Sequence, residues 1–554
     1  MIKRRDFLQQ GALGAAALLL AQKIGWAAAA NSAAADSRIE VLFDEPLGTI
    51  SPTIYGHFTE NLGGVLYDGV WVGENSSVPN IDGLRKSLIE HMRKIKAPVI
   101  RYPGGCFADS YDWRDGIGPA DKRPRRTNFW ANSESKDAPP EHSYDPNQVG
   151  TDEFVHFCKL IGAEPYLAAN VRTLPASAFQ QWVEYCNSPA GTTTLADARA
   201  AAGYPDPFGV KYWGVGNESW GCGGEFTPQE YAVQFRRYAT WLPAYGDTLH
   251  LIASGPNTDD WNWTRGFLTE VLLKGPDQLN SIYGMALHHY AWDMSRGKTT
   301  DWVAAKGDAL KFDSVDWYEL LRQGDRMEGL VTGHWQVMSE FDPDHRVKLV
   351  VDEWGPWYRP GSEATPGDLF EQTPTLRDAV FSGMTLDIFN RNPEKIAMAN
   401  CAQLINCLNS LYLAHEDKFI VTPVGHVFDL YSDHQGGQSL RTIFSAPTLN
   451  YDRDGSSATF WGLRGSASVR DKTLTITVVN PSVSEPRLAE IALRGATAEE
   501  ASMRFLSNAD VHAHNSFDQP DVVVPQTKPL SVKGGSLMIE FPPASVAAVN
   551  IQLG

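Results

Sequence analysis

"VKYWGVGNE", residues 210–218, climbs through a short apolar run and ends on Gly216, Asn217 and Glu218. A strand covered on both faces reads as a near-continuous apolar run, as the middle of this one does. Its polar end needs a separate reason. Seven more runs of this kind lie between about residues 50 and 435: "TIYGHF" (53–58), "PVIRYPGG" (98–105), "EPYLAANV" (164–171), "LHLIAS" (249–254), "YGMALHHY" (283–290), "VKLVVDEW" (347–354) and "IAMANCAQ" (396–403). Helical patterns fill the gaps. Leu84, Leu88, Met92 and Ile95 form one stripe behind a cap at Asp82, and Phe154, Phe157, Cys158 and Ile161 repeat it after Asp152. Thr227-Pro228-Gln229-Glu230 is a capping box with proline at the first helical position, ahead of Tyr231, Phe235, Tyr238 and Leu242. Strands alternating with helices in this way predict an α/β fold, a (β/α)8 TIM barrel over residues 47–435.

Beyond residue 436 the texture changes. "ATFWGLRG", "SASVRD", "LTITVVN", "PRLAEIAL", "SLMIEF" and "SVAAVNIQL" are short strands parted by turn residues, with no helical stripe. They predict an all-β sandwich, jelly-roll-like, over 436–554. "RIEVLF" (38–43), in the segment 38–46 ahead of the barrel, is expected to join that sandwich as an edge strand. No row of exposed aromatics stands out there, so the domain reads as structural.

The first 30 residues differ again. "MIKRRDFLQQ" supplies Lys3, Arg4 and Arg5, the apolar run "GALGAAALLLA" (11–21) is too short to span a bilayer, and small residues offer a cleavage site near Ala30. Arg4-Arg5 followed by Asp6-Phe7-Leu8 resembles a twin-arginine export signal, which predicts a periplasmic or secreted protein with no membrane attachment once processed. Twin-arginine substrates usually cross already folded. Six scattered cysteines (106, 158, 186, 222, 401, 407) without a CxxC pair therefore do not read as a disulfide scaffold. A net charge of −18 argues against nucleic acid or an anionic membrane as partner and suits a neutral substrate.

In a barrel of this kind the chemistry sits at the C-terminal ends of the strands. The polar residues there are Glu60, Arg101, Asn170, Asn217, Glu218, His288, Tyr290, Asp352, Glu353 and Asn400. Glu218 and Glu353, at the ends of the fourth and seventh strands, would face each other across the barrel mouth. Glycoside hydrolysis needs such a pair, one acid to protonate the leaving oxygen and one carboxylate to attack or to activate water. Trp213, Trp220, Trp354 and Trp357 would offer faces for sugars and desolvate the carboxylates. Plainer readings exist: a strand-end glutamate is commonly an ion-paired surface group, Asp352-Glu353 reads equally as a helix cap, and His288-His289 as structural. No HExxH or CxxC spacing supports zinc, the glycines fit neither GxGxxG nor a P-loop, no GxSxG elbow occurs, and Asp452-x-Asp454-Gly reads as a turn. No metal or cofactor is expected.

"RYPGGCFADSYDWRDGIGP" (101–119), "GTDEF" (150–154), "WGVGNESWGCGG" (213–224) and "VVDEWGPWY" (350–358) together resemble the α-L-arabinofuranosidases of glycoside hydrolase family 51. "NPSVSEP" and "ADVHAHNSFDQPDVVVP" are similar to that family's appended β domain. The resemblance implies Glu218 as acid/base and Glu353 as nucleophile of a retaining enzyme that removes terminal α-L-arabinofuranosyl units, with carboxyl groups about 5–5.5 Å apart. It further implies that Glu60, in "FTENLGG", holds furanose hydroxyls, that Asn217 binds the 2-hydroxyl, and that Arg101 steadies the nucleophile's charge. His288 and Tyr290 would position the nucleophile. Members are usually oligomeric, often hexameric, so a homo-oligomer is expected. Two features depart from the family. Most members lack a leader and act inside the cell on short oligosaccharides, whereas export implies longer glycans of the arabinan or arabinoxylan type. "NVRT" (170–173) also puts Arg172 near the barrel mouth where relatives often have a small residue. Cys106 and Cys222 follow strand ends beside the sugar site, where they would form a disulfide, touch substrate as thiols, or pack unpaired. Two alternatives stand beside this reading: another retaining glycosidase such as a β-xylosidase or endoglucanase, and a non-catalytic carbohydrate-binding protein.

Overall fold

In the computed structural model the described residues are 35–554 without 134–137, 247, 293–300, 366 and 533–536. The export signal expected at 1–30 lies outside them. Eight strands, each parallel to both neighbours, close into a barrel: β1 (Gly56–Phe58), β2 (Val99–Tyr102), β3 (Glu164–Ala169), β4 (Tyr212–Val215), β5 (His250–Ala253), β6 (Gly284–Ala291), β7 (Lys348–Pro356) and β8 (Ile396–Cys401). Closure is made by β8 on β1, with Asn400 opposite Gly56 and Cys401 opposite His57. A helix follows each strand: α1 (Lys86–Lys94), α2 (Thr151–Ile161), α3 (Ala176–Asn187), α4 (Pro228–Ala239), α5 (Trp261–Val271), α6 (Ser314–Ser339), α7 (Leu376–Arg391) and α8 (Pro423–Tyr431).

The barrel interior is packed, not hollow. Val99, Tyr166, Ile252, Ala286, Val350 and Met398, from six different strands, form one buried cluster. Side chains alternate along a strand, so two residues further on Arg101, Asp352 and Asn400 also point inward, above this floor. The residues between them face the helices. Thus the apolar runs are apolar because both faces are covered, and their ends are polar because the interior stops there.

Local signals set the helix starts. Thr227 Oγ1 accepts from the Glu230 N–H while the Glu230 carboxylate accepts from the Thr227 N–H, as the capping box requires. The start of α1 differs from the sequence expectation. Asp82 and Gly83 have φ of 51° and 83° and turn a two-residue hairpin between Asn80–Ile81 and Leu84–Arg85. Asp-Gly suits that tight turn, so Asp82 caps nothing and α1 begins at Lys86.

The C-terminal region is one nine-stranded sheet, in the order 526–530, 498–506, 545–553, 473–480, 464–470, 438–445, 37–49, 487–494, 537–541. Phe541, Ile476, Val549, Ile39 and Met503 belong to strands far apart in that order yet share one core, so the sheet folds over itself into two layers. The N-terminal strand Ser37–Thr49 lies inside this sheet, not at its edge. It is antiparallel to 438–445 and parallel to 487–494. Between barrel and sheet sits α7, buried nearly throughout. Its Asp387 carboxylate accepts hydrogen bonds from Ser466, Thr477 and Tyr431. Among the described residues no helix is long and apolar enough to cross a membrane.

Candidate active site

At the C-terminal mouth of the barrel a cavity of about 220 Å³ is lined by Glu60, Asn217, Glu218, His288, Tyr290 and Glu353, with aromatic walls. One carboxylate oxygen of Glu218, one of Glu353 and a ring nitrogen of His288 all lie within 4.8 Å of one another. His288 Nδ1 is 3.0 Å from Glu218 Oε1 and 3.6 Å from Glu353 Oε2. Glu353 belongs to β7 itself, so Asp352-Glu353 is no helix cap. Glu218 follows β4 with φ of 38°, a left-handed conformation that is uncommon for a side-chain-bearing residue.

Arg101 rises from β2 into the middle of this group. Its Nη1 donates to Glu353 Oε1 at 2.7 Å, its Nη2 to Asn217 Oδ1 at 2.5 Å, and its Nε lies 3.3 Å from Asp352 Oδ2. Tyr290 donates its hydroxyl to Glu353 Oε2 at 2.7 Å. Asp352 accepts from Tyr166 and Asn400, each at 2.8 Å, which fixes the residue beside Glu353. Burial alone would raise the Glu353 carboxyl, but His288, Arg101 and the Tyr290 hydroxyl outweigh it and hold Glu353 below the ordinary range. Burial would lower the His288 imidazole, yet the charges of Glu353 and Glu218 raise it. The pair is therefore a sealed carboxylate bounded by cations on one side and a more open glutamate on the other.

Glu60 sits across the cavity. Its Oε1 accepts from the Phe107 N–H at 2.9 Å and the Trp130 indole at 3.2 Å, and its Oε2 from Gln403 at 3.2 Å. Burial and the nearby Glu353 still push this carboxyl up to about 8. A Cβ on Gly105 would stand 2.6 Å from Glu60 Oε2, so a side chain there would push the Glu60 carboxylate from its place. Gly216 is a turn residue with φ of 82°, where a Cβ would strike Val171. It shapes the strand end and does not line the cavity.

The structure decides several readings left open by the sequence and overturns others. Cys106 and Cys222 form a disulfide, with Cα atoms 5.6 Å apart. Cys106 therefore reaches the cavity as half of a cystine beside Glu218 and not as a thiol. The cystine joins the loops after β2 and β4, so of the three readings open for this pair the disulfide is the one the structure shows. Trp220 and Trp357 line the cavity, but Trp213 and Trp354 do not. Trp213 faces the helices, packed on Phe179 and Trp182, and Trp354 packs on Phe389 and Phe428. Each is on the outer face of its strand. Arg172 is also outside the cavity: its Nε donates to the Asp109 carbonyl and its guanidinium lies over Phe129. His289 is structural, with Nε2 2.8 Å from the Gln323 carbonyl.

Other contributors carry no sequence signal. Asp109 is fully buried and accepts from the N–H groups of Val171, Arg172 and Asn217, tying the ends of β3 and β4 together. Burial pushes it up to about 7. Trp130, on the 3-10 turn Phe129–Asn132, and Trp302, Phe370 and Gln403, on loops, reach the cavity. Glu218, His288 and Glu353 are close enough to share a metal ion, as are Glu218 and the two cysteine sulfurs. The cysteines are spent on each other, and the Arg101 guanidinium already supplies the positive charge at Glu353, so neither group suits a cation.

Residues 91–305 match the family model described as alpha-L-arabinofuranosidase 1 domain, and residues 352–545 that of the alpha-L-arabinofuranosidase C-terminal domain. The chain is 33% identical to an intracellular exo-alpha-L-arabinofuranosidase of Bacteroides ovatus, over 97% of this chain and 100% of the relative. It is similar to the crystal structure of the GH51 arabinofuranosidase from Xanthomonas axonopodis pv. citri, with a TM-score of 0.85 and 33% identity, covering 94% of this chain and 100% of that one. The arabinose complex of the Thermotoga maritima alpha-L-arabinofuranosidase gives a TM-score of 0.78 and 29% identity, with 93% and 100% covered.

Proposed function

The chain belongs to the α-L-arabinofuranosidases of glycoside hydrolase family 51, and from that premise we propose that it works by double displacement with retention. Glu353 attacks the anomeric carbon as the glycosidic bond breaks, and Glu218 gives its proton to the leaving oxygen. Glu218 then takes a proton from water, the water oxygen bonds to the anomeric carbon, and Glu353 leaves. What carries this reading is the spacing of the two carboxylates, with one oxygen of each inside 4.8 Å. Retaining enzymes hold their carboxyl groups about 5–5.5 Å apart, whereas inverting ones leave room for a water between them.

The remaining residues take supporting roles. Arg101 and Tyr290 keep Glu353 ionised for attack, and His288 bridges the two acids. Asn217 and Glu60 hold furanose hydroxyls. Glu60 is protonated below about pH 8 and so donates as well as accepts. A cavity of about 220 Å³, floored by the barrel, suits one terminal sugar and not a threaded chain, so cleavage is at the non-reducing end. The resemblance of residues 1–30 to a twin-arginine export signal supports a periplasmic or secreted enzyme acting on arabinan or arabinoxylan-type glycans and their oligosaccharides. In this it would differ from the relative named as intracellular. It acts as a homo-oligomer, an assignment that rests on family resemblance alone.

The test is hydrolysis of p-nitrophenyl α-L-arabinofuranoside, with the β-xyloside and β-cellobioside beside it, by wild type, Glu218→Ala and Glu353→Ala. Turnover of the arabinoside, abolished by Glu353→Ala, is expected. Preference for the xyloside or cellobioside would keep the carboxylate pair and overturn the sugar assignment.

A further inference from the structure

Lys306 has a placement that the reaction described above does not use. The residue is buried, 4% exposed, in the loop between β6 and α6. Its Nζ lies 3.6 Å from the ring centroid of Trp302 and 3.5 Å from that of Trp357. Among the described residues no carboxylate or carbonyl pairs with it, and burial pushes the ammonium down to about 7. Among the described residues, the two indole faces are what compensates the charge. A desolvated ammonium over aromatic faces is a strong case of cation–π attraction.

Both tryptophans line the cavity. Trp357 is wedged by Tyr290 and Phe370, with ring centroids at 5.2 and 5.0 Å. Trp302 is different. It is 50% exposed, and among the described residues its ring contacts are Trp357, edge-on at 5.5 Å and 80°, and Lys306. The furanose groups Glu60 and Asn217 are buried on the barrel strands' side of the cavity. A half-exposed ring at the outer rim meets the part of a substrate that points to solvent, which is the leaving group.

We propose that Lys306 is a specificity-determining positioning residue: its ammonium pins Trp302 against Trp357 and so builds an aromatic corner that stacks a sugar ring on the leaving-group side. This rests on the glycosidase reading of the same site. The corner matters only to substrates whose leaving group is a sugar. It has no bearing on the bond-breaking groups, so the effect falls on KM and not on kcat.

The test compares α-1,5-L-arabinobiose with α-L-arabinofuranosyl fluoride, whose leaving group has no ring, at pH 5.5, where Lys306 is charged. Lys306→Met keeps the length and removes the charge. It is expected to raise KM for arabinobiose about five- to thirty-fold, which converts to about 1–2 kcal/mol, with kcat changed by less than about twofold. KM for the fluoride stays near wild type, and Lys306→Arg restores arabinobiose binding. Trp302→Ala reproduces the Lys306→Met pattern, and the double variant is no worse than Trp302→Ala. An unchanged KM for arabinobiose, an equal rise for both substrates, or no restoration by arginine would overturn the proposal. If Lys306→Met does not fold, Trp302→Ala and Lys306→Arg on the two substrates give the same contrast. Failure of wild type on both substrates would instead bring down the glycosidase reading.

Discussion

Arg101 Nη1 donates to Glu353 Oε1 at 2.7 Å, and both side chains are almost sealed from solvent. Neither charge would be stable there alone. Removing one partner of a buried pair leaves the other unpaired and costs about 3–5 kcal/mol. Arg101→Met is expected to lose stability in that range by urea denaturation. The variant should also lose at least about 100-fold in kcat/KM on the p-nitrophenyl arabinoside, because the ionised Glu353, the proposed nucleophile, and Asn217 both lose their anchor. Near-wild-type kinetics would mean that Arg101 is structural only.

Glu60 makes stability depend on pH in a predictable direction. Its folded value, about 8, lies above the ordinary 4.5, so the native state binds the proton more tightly than the unfolded state. Stability is therefore greatest below about pH 4.5 for this group and falls as pH rises towards 8, by roughly 3–5 kcal/mol in total. Glu60→Gln removes that loss, while Asp109 and the other buried acids are common to both proteins and cancel. The melting-temperature difference, variant minus wild type, should grow from pH 5 to pH 8. A constant difference would show that Glu60 is ionised throughout.

The barrel was legible in the sequence because strands covered on both faces leave unbroken apolar runs, and because the polar residues at their ends have no core to enter. That placed Glu218, Glu353, Arg101, His288 and Tyr290 at one mouth. The same continuity hid which face each residue takes. Trp213 and Gly214 are neighbours on β4, yet only Gly214 faces the interior, so both Trp213 and Trp354 read falsely as sugar contacts. Asp82 failed as a cap because Asp-Gly is also a hairpin turn. Trp130, from a short 3-10 turn, and Trp302, Lys306 and Gln403, from loops, lie where no period exists to read. Asp109 looks in sequence like any acid in a short turn, and only its three N–H donors reveal its role.

The cystine beside Glu218 fixes a thiol count. Cys158, Cys186, Cys401 and Cys407 are free and buried, and Cys106 is bonded to Cys222. Titration of the unfolded, unreduced protein should report these four thiols. All six cysteines titrating would remove the disulfide.

No step of the proposed double displacement needs a metal, and Arg101 holds the position a cation would take at Glu353. Prolonged dialysis against EDTA is expected to leave kcat and KM unchanged. Loss of activity restored by a divalent ion would assign Glu218, His288 and Glu353 a ligand role instead.

The most direct test of the central claim is stereochemical. Proton NMR of the enzyme turning over p-nitrophenyl α-L-arabinofuranoside identifies the anomer of arabinose released before mutarotation. Two carboxylates this close, with Glu353 as nucleophile, require the α-anomer to appear first. Initial release of the β-anomer would mean a single displacement by water, and would contradict the covalent role of Glu353.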